Sequence, residues 1–569
     1  MEETGATGPV RTTHYAHDRL QRLTQVAFDS DGDGTTDQTV RYEYDAGGLR
    51  TRLTLPGEVS IAYRYDAKGR LVGLTGWDGQ ASDFFYDAAG RHVATQRASG
   101  LLSDYRYNPA GHLRRIRHFA GTPDSLRARF DYVVDARGSR TQASERLAQP
   151  ATVIATYGKD APEVEYVSGT WTDAGAYKRS AQFDARIRIA WTGDEGLLTV
   201  GTGPDHSLID VYIGGSLWQS YDCWAPTAGE RVIPIPVDGL LEIHNRAVRN
   251  PHATGTVMRF KQLEVLEVPY DERTIRYTYD AVSRLIAADY DNGERVYDYT
   301  YDLAGNRLQE ALSGTGVTAR TTDYEYNAAN QINRMRVDAG AWTNFTYDSN
   351  GNLTSDGTNS YSWDRANRLL EVDNGTPNEL TAYAYDGLNN RISQTIGTSS
   401  PVVTQYLLDL QPGLVKVIAA ATASGTDRYI HAPHGIHAMQ SHTGDWTYAV
   451  QDALGSVRAE VDNTLTILGV QHPDPYGNLF EQQGNIRLPF AYTGEMRDPI
   501  GLQYHRARYL NPSLGTFLSL DPFEGMMQRP LSLNGYLYAG GNPVNLTDAS
   551  GKCWLNTSSS ASQHQQCLE

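Results

Sequence analysis

One short motif recurs through most of this chain and restricts its fold more than any other feature. Tyr-x-Tyr-Asp-x-x-Gly-x-Arg/Leu runs from Tyr42 to Arg50, Tyr63 to Leu71 and Tyr105 to Leu113, and a Phe-led copy spans Phe84 to Arg91. Its acidic or amide position falls at Asp45, Asp66, Asp87 and Asn108, which are 21 residues apart three times running. It returns at Asp280, Asp302, Asn327, Asp348, Asp364 and Asp386 with spacings of 22, 25, 21, 16 and 22. A fixed period of this length marks a repeat array. Within one copy, residues two apart such as Tyr42 and Tyr44 share one face of a strand. Asp45 ends that strand, because its carboxylate caps backbone N–H groups of the turn, and Gly48 supplies the positive φ of a short hairpin loop. Asp66 with Gly69, Asp87 with Gly90, Asn108 with Gly111, Asp302 with Gly305 and Asp348 with Gly351 repeat the pair. One period is one hairpin, and consecutive hairpins pair edge to edge into a long antiparallel ribbon.

The chain holds 36 Tyr against 12 Phe, so most of its aromatic surface carries a hydroxyl that needs water or a partner. Tyr on alternate positions through ten or more repeats suits a sheet wrapped around a large, partly hydrated interior. The fold class expected from these residues is all-β, a long coiled ribbon of hairpins around such an interior. Lys and Arg total 50 against 67 Asp and Glu, a formal charge of −17, which disfavours nucleic acid and anionic membranes as partners. No apolar run reaches 18 residues, and the first eight residues are acidic and polar, unlike a signal peptide. The expectation is a protein exported by a dedicated route, or a fragment beginning mid-protein. Cys223, Cys553 and Cys567 make no disulfide framework, although the last two can close a small loop.

The repeat resembles the YD repeats of RHS proteins, whose shells also occur in teneurins and in the C components of insecticidal toxin complexes. A more specific resemblance, to the RHS-associated core, lies in YAVQDALGSVRAEVD (448–462), DPYG (474–477), PFAYTGEMRDPIGLQYHRARYLNPSLGTFLSLDPFEG (489–525) and PLSLNGYLYAGGNPVNLTDASG (530–551). The organisation expected is YD repeats over 1–148, an insert over 149–269, YD repeats over 270–425, a core plug over 426–551 and a polar tail over 552–569. The resemblance implies that the ribbon spirals into a hollow shell, complete or partial, secreted or at the cell surface, which encloses, carries or displays a C-terminal polypeptide, as in polymorphic toxin delivery or contact-dependent competition. It also implies an aspartate autoprotease in many members. Asp521 stands at the family's catalytic position and Asp548 at the Asp of the cleavage signature. That signature reads Asp548-Ala549-Ser550-Gly551-Lys552, without its Pro and Leu, and Thr516 replaces a common Arg. The sequence therefore predicts rigid turns there and an uncleaved chain. The 18 residues after Gly551 are too few and too polar to fold as a toxin.

Between Thr152 and Val268 the repeat stops and about seven period-two strands take over, the pattern of a β-sandwich. Its ending resembles jelly-roll carbohydrate-binding modules, which makes glycans a candidate partner and a binding or adhesion protein the competing function. Trp171, Trp191, Trp218 and Trp224 are candidate stacking residues, with core packing as the plainer role.

Asp29, Asp31, Asp33 and Asp37 stand at positions 1, 3, 5 and 9 of a calcium-type loop, with Gly34 at position 6 and the Thr35 carbonyl at position 7. Position 12 is Val40, so this is not an EF-hand but a hairpin loop stapled by structural Ca²⁺. His431, His434 and His437 sit three apart near His442. That spacing alternates faces in extended chain, so surface or turn positions are expected in place of zinc.

Overall fold

The computed structural model describes residues 2–3, 11–29, 33–122, 125–376, 378–411 and 413–556. The protein is all β, and the helical turns among the described residues are three 3₁₀ segments, Tyr492–Gly494, Pro530–Leu533 and Tyr538–Gly541.

The repeats form an antiparallel meander. A first ribbon of twenty strands runs from Glu2–Glu3 to Thr343–Asn344. Its strand Arg140–Ala148 pairs directly with Tyr270–Tyr279, in register from Gln142 opposite Arg276 to Ala148 opposite Tyr270, so the ribbon resumes as if the insert were absent. A second ribbon of fourteen strands comes next, from Thr346–Tyr347 to Leu479–Gly484. The meander thus continues about sixty residues past 425, where the sequence placed the start of the plug. The reason is visible in the strands Trp446–Gln451 and Val457–Val461. Every residue in them is buried, so the alternation that marks a half-wet strand is lost.

The turn is built the same way throughout. The Asp66 amide donates to the Arg70 carbonyl (3.0 Å) and the Gly69 amide to the Asp66 carbonyl (2.9 Å). The Asp66 carboxylate accepts the Arg70 amide (3.0 Å). Gly48, Gly69, Gly90, Gly111, Gly305 and Gly351 all take φ between 76° and 88°. Where the glycine is missing, Ser283, Asn330, Asn367 and Asn389 adopt φ of 60° to 70° at the same position.

Several of these turns are also stapled to the next repeat. Arg70 pairs with Asp66 (2.6 Å) and lies 4.7 Å from the Tyr86 ring centroid, while the Tyr86 hydroxyl donates to the Leu71 carbonyl (2.8 Å). Arg91 with Tyr107, Arg284 with Tyr301 and Arg368 with Tyr385 repeat the arrangement. This accounts for the Tyr excess without water, because the hydroxyl of the second motif Tyr is spent on the neighbouring repeat.

The faces that look inward are packed and drier than the Tyr content implies. Against the first ribbon lie the doubly buried strands of the second: Trp77 stacks on Trp446 at 5.4 Å, His118 Nε2 meets the Gln451 carbonyl at 2.8 Å, and Arg458 pairs with Glu145 at 2.6 Å. On the other side of those strands, the plug fills the curl of the second ribbon. Arg391 pairs with Asp498 (2.9 Å), and the Tyr385 and Tyr509 hydroxyls meet at 2.9 Å.

The insert forms two sheets, of six and five strands, between Thr152–Gly158 and Met258–Glu267. They enclose their own core, centred on Ile187, Leu198, Ile209, Ile243 and Phe260. It is docked on the ribbon by buried Arg127, whose guanidinium pairs with Glu195 (Nη2 to Oε2 2.7 Å). Trp218 packs on Gly121, where a Cβ would come within 2.9 Å of the indole.

Candidate functional site

The plug carries the constellation that the sequence singled out. Its four short strands, Met496–Arg497, Gln503–His505, Arg508–Asn511 and Thr516–Phe517, pair in order. A tight turn joins His505 to Arg508, with Arg506 at φ 60°. Further on, Leu546–Thr547 pairs with Leu555–Asn556, so residues 548–554 form a loop at the end of a hairpin.

That loop is held by four successive residues of the tight turn. His505 Nδ1 meets the Asp548 carbonyl at 2.6 Å, and Arg506 Nη1 donates to the Ala549 carbonyl at 2.5 Å. The Ala507 amide donates to the Ser550 carbonyl at 3.2 Å, and Arg508 Nε to the Gly551 carbonyl. Four consecutive donors thus grip four consecutive carbonyls. Gly551 is required here, since φ is +68° and a Cβ would sit 2.4 Å from the His505 carbonyl oxygen.

Asp521 and Asp548 are brought together by Arg508. Its Nη2 lies 2.7 Å from Asp521 Oδ2 and 3.1 Å from Asp548 Oδ2. Asp521 also accepts the Phe523 amide (2.9 Å). Burial pushes the Asp521 carboxyl up to about 6, opposed by Arg508 and reinforced by the charge of Asp548. Asp548 is fully buried, and it also accepts from Ser550 Oγ (3.2 Å) and from the Lys552 and Cys553 amides (both 3.1 Å). A carboxylate pair that activates water shares a proton between its members. Here a guanidinium stands between them, and Asp548 is engaged by its own loop. Asp521, Ser550 and Lys552 line a cavity of about 580 Å³ together with Trp363, Asn389 and Arg506. Sequence reading missed His505, Arg506 and Arg508 in this role, because a grip on backbone carbonyls leaves no residue pattern.

The other candidates lie elsewhere. The acidic loop joins strands Leu23–Phe28 and Gln38–Tyr44 of the first ribbon. Asp29 is buried and accepts the Gly34 amide (3.0 Å), while Asp33 accepts the Thr35 amide (2.7 Å) and hydroxyl (2.6 Å). Asp37 donates its amide to the Phe28 carbonyl (2.8 Å), and Asp31 lies outside the described residues. The four tryptophans of the insert are buried or half-buried, and Trp171 donates to the Ser168 carbonyl (2.8 Å), so they form no exposed stacking platform. The histidines do not converge. His437, expected at a surface or turn, is buried in a strand and meets Ser82 Oγ at 2.9 Å, whereas His431 meets the Val417 carbonyl and His442 meets Asp427. Cys553 is disulfide-bonded and Cys223 is a buried free thiol, while Cys567 lies outside the described residues.

The teneurin YD-shell model matches residues 6–142 and 252–544. The chain belongs to that family. The unmatched stretch between the two segments contains most of the insert. Among curated relatives, tRNA nuclease WapA of Bacillus subtilis (strain 168) is 30% identical over 283 residues, covering 49% of this chain and 12% of its own. Toxin subunit YenC1 of Yersinia entomophaga is 24% identical over 286 residues (45% of this chain, 29% of its own). Teneurin-4 of Homo sapiens is 26% identical over 257 residues (45% and 9%). The crystal structure of TcdB2-TccC3-TEV covers 95% of this YD-shell chain and 31% of that chain, at 16% identity and a TM-score of 0.36. This chain therefore spans less than a third of the length of each of these relatives.

Proposed function

We propose that this YD-shell protein carries a C-terminal polypeptide, in the manner of toxin delivery or contact-dependent competition, and that it works outside the cell or at its surface. The observation that supports the reading is the grip of His505, Arg506, Ala507 and Arg508 on the carbonyls of residues 548–551. It anchors the last hairpin loop before the C-terminal residues, and it does so through backbone, so it places few demands on the residues C-terminal to it. No helix among the described residues is long and apolar enough to cross a membrane. The test appends a folded reporter to the C-terminus of the full chain and challenges it with protease under native conditions. A reporter protected until the shell unfolds means carriage inside, and one digested at the rate of the free reporter while the shell stays intact means display. A shell that unfolds, or loses its own protease resistance, once the reporter is appended would refute carriage.

The core is read as a plug and not as a working protease, because Arg508 occupies the space between the two carboxylates and the signature lacks its Pro and Leu. Intact-mass measurement of the purified chain should give one species. A fragment ending at Lys552 that disappears in Asp521→Ala would make Asp521 catalytic after all. The loop at Asp29, Asp31, Asp33, Thr35 and Asp37 is proposed as a structural Ca²⁺ site, on the strength of its hard oxygen donors.

A further inference from the structure

The joint between ribbon and plug carries a buried charge that neither the repeats nor the grip on residues 548–551 uses. The second ribbon ends at Gly484, and the plug begins with Phe490, which pairs with Met496. The link between them crosses back over two strands. The Asn485 amide donates to the Leu468 carbonyl (2.8 Å), and the crossing is so close that a Cβ on Gly469 would lie 2.9 Å from the Asn485 backbone. One step further along, the Glu460 carboxylate accepts the amides of Arg487 (2.8 Å) and Leu488 (2.9 Å), one on each oxygen.

Glu460 is fully buried. Three other buried acids of this protein are met by a guanidinium: Glu145 by Arg458, Asp498 by Arg391 and Glu310 by Arg307. Glu460 has no such ion pair among the described residues. Its partners across the sheet are Ala449 and Gly469, both uncharged, and Leu488 on the link is apolar. Arg487, on the link itself, is the one charged group that acts on it. A carboxylate in this setting keeps its charge through two N–H dipoles and the Arg487 charge, which together are a weak hold against desolvation.

We propose that Glu460 is a proton-operated catch at the joint: ionised, it holds the link with both oxygens, and protonated, it lets one amide go and frees the link to move against the ribbon. The chemistry is that of the carboxyl group. Once one oxygen is a hydroxyl it accepts poorly, and the N–H facing it loses a charge-assisted bond. Burial lifts the group to about 7, opposed by the two amides and by the Arg487 charge, so the catch changes state near neutral pH. The folded-state value lies above the ordinary carboxyl value, so the fold binds this proton more tightly than the unfolded chain does. The contribution of Glu460 to overall stability therefore rises as pH falls from about 7 toward 4.5. Acid loosens the joint without weakening the fold, which separates the catch from general acid unfolding. The catch operates whatever the shell carries.

Hydrogen exchange of the full chain tests it, read at the Arg487 and Leu488 amides between about pH 5.5 and 8.5 and corrected for intrinsic rates. Loss of one charge-assisted bond should raise exchange there by about five- to tenfold across a step near pH 7, with no fall in Tm over that step. In Glu460→Gln, which offers one accepting oxygen at every pH, the step should vanish and exchange should stay at the acid level. A wild-type profile that is flat between pH 6 and 8 would overturn the proposal by itself, even if the variant failed to fold. An identical step in Glu460→Gln would overturn it equally.

Discussion

The strand Gln38–Tyr44 and the strand Trp446–Gln451 are consecutive-hairpin strands of the same kind of meander, yet one could be read from sequence and the other could not. In the first, burial alternates through Val40, Glu43 and their neighbours, because one face looks at solvent. In the second, all six residues are buried, since one face meets the first ribbon and the other meets the plug side. A period of two is a signature of asymmetry between faces, not of a strand as such. The turn chemistry survives where the alternation does not: Asp452 accepts the Ser456 amide (3.0 Å) as Asp45 accepts that of Leu49 (2.9 Å).

The largest expected effect lies in the doubly covered region. Arg391 and Asp498 have side chains only 1% and 2% exposed, and the guanidinium also packs on the Tyr504 ring at 4.3 Å. Arg391→Met should cost about 3 to 5 kcal/mol in urea unfolding, because it strands a buried carboxylate. Adding Asp498→Leu should recover most of that loss. On the half-wet ribbon, Arg41 pairs with Glu58 at 2.7 Å with both side chains largely exposed, and Arg41→Met should leave the midpoint unchanged. Equal losses in the two variants would mean that the two regions are not differently packed.

A smaller effect tests the packing alone. Ala449 is fully buried in a strand covered on both faces. Ala449→Leu should cost about 1 to 3 kcal/mol by overpacking. The same change at Ala62, a half-buried position of the first ribbon, should cost less. A variant at 449 as stable as the parent would show slack between the second ribbon and the plug.

The same contrast decides how much could be read in advance. The hairpin period, the Asp and Gly turns and the place of the insert were legible because each repeats or breaks a local pattern. The Arg of Asp66-x-x-Gly69-Arg70 was visible too, and its recurrence at Arg91, Arg284 and Arg368 was the available sign of the staple between repeats. The grip on residues 548–551 and the catch at Glu460 were not legible. Both bind backbone groups of segments distant in sequence, and backbone carries no residue code. The dry interior was missed for a related reason, since composition counts Tyr hydroxyls but does not say that Tyr44, Tyr86 and Tyr301 spend theirs on the preceding repeat.

The plug offers a pH test of intermediate size. Burial raises the Asp521 carboxyl to about 6, above its ordinary 3.8, so the folded protein holds that proton more tightly than the unfolded chain. Its contribution to stability should rise as pH falls from about 6 to about 4 and gain nothing further below that. Asp521→Asn should remove this slope from the urea midpoint while leaving the rest of the pH profile in place. A parent chain that loses stability across that window, with the slope abolished by the same substitution, would mean that the ion pair with Arg508 outweighs burial.

The smallest effect concerns a long turn of the half-wet ribbon that does not follow the repeat chemistry. The loop between Phe28 and Gln38 lacks the Tyr-Asp turn, and its strands are joined instead by a segment with carboxylates at 29, 31, 33 and 37. Four carboxylates within nine residues repel one another unless a cation sits among them. Calorimetry should show one Ca²⁺ bound per chain and a Tm raised by a few degrees at saturating calcium, since a ligand bound only by the fold adds to its stability. Asp29→Ala together with Asp33→Ala should abolish both the heat and the shift, and should leave the exchange step at Arg487 and Leu488 untouched because the two sites share no element. If calcium gives no heat, or the double variant binds it as well as the parent, the loop is a solvated acidic turn. The first ribbon would then be held at this end by strand pairing and by the loop's own hydrogen bonds.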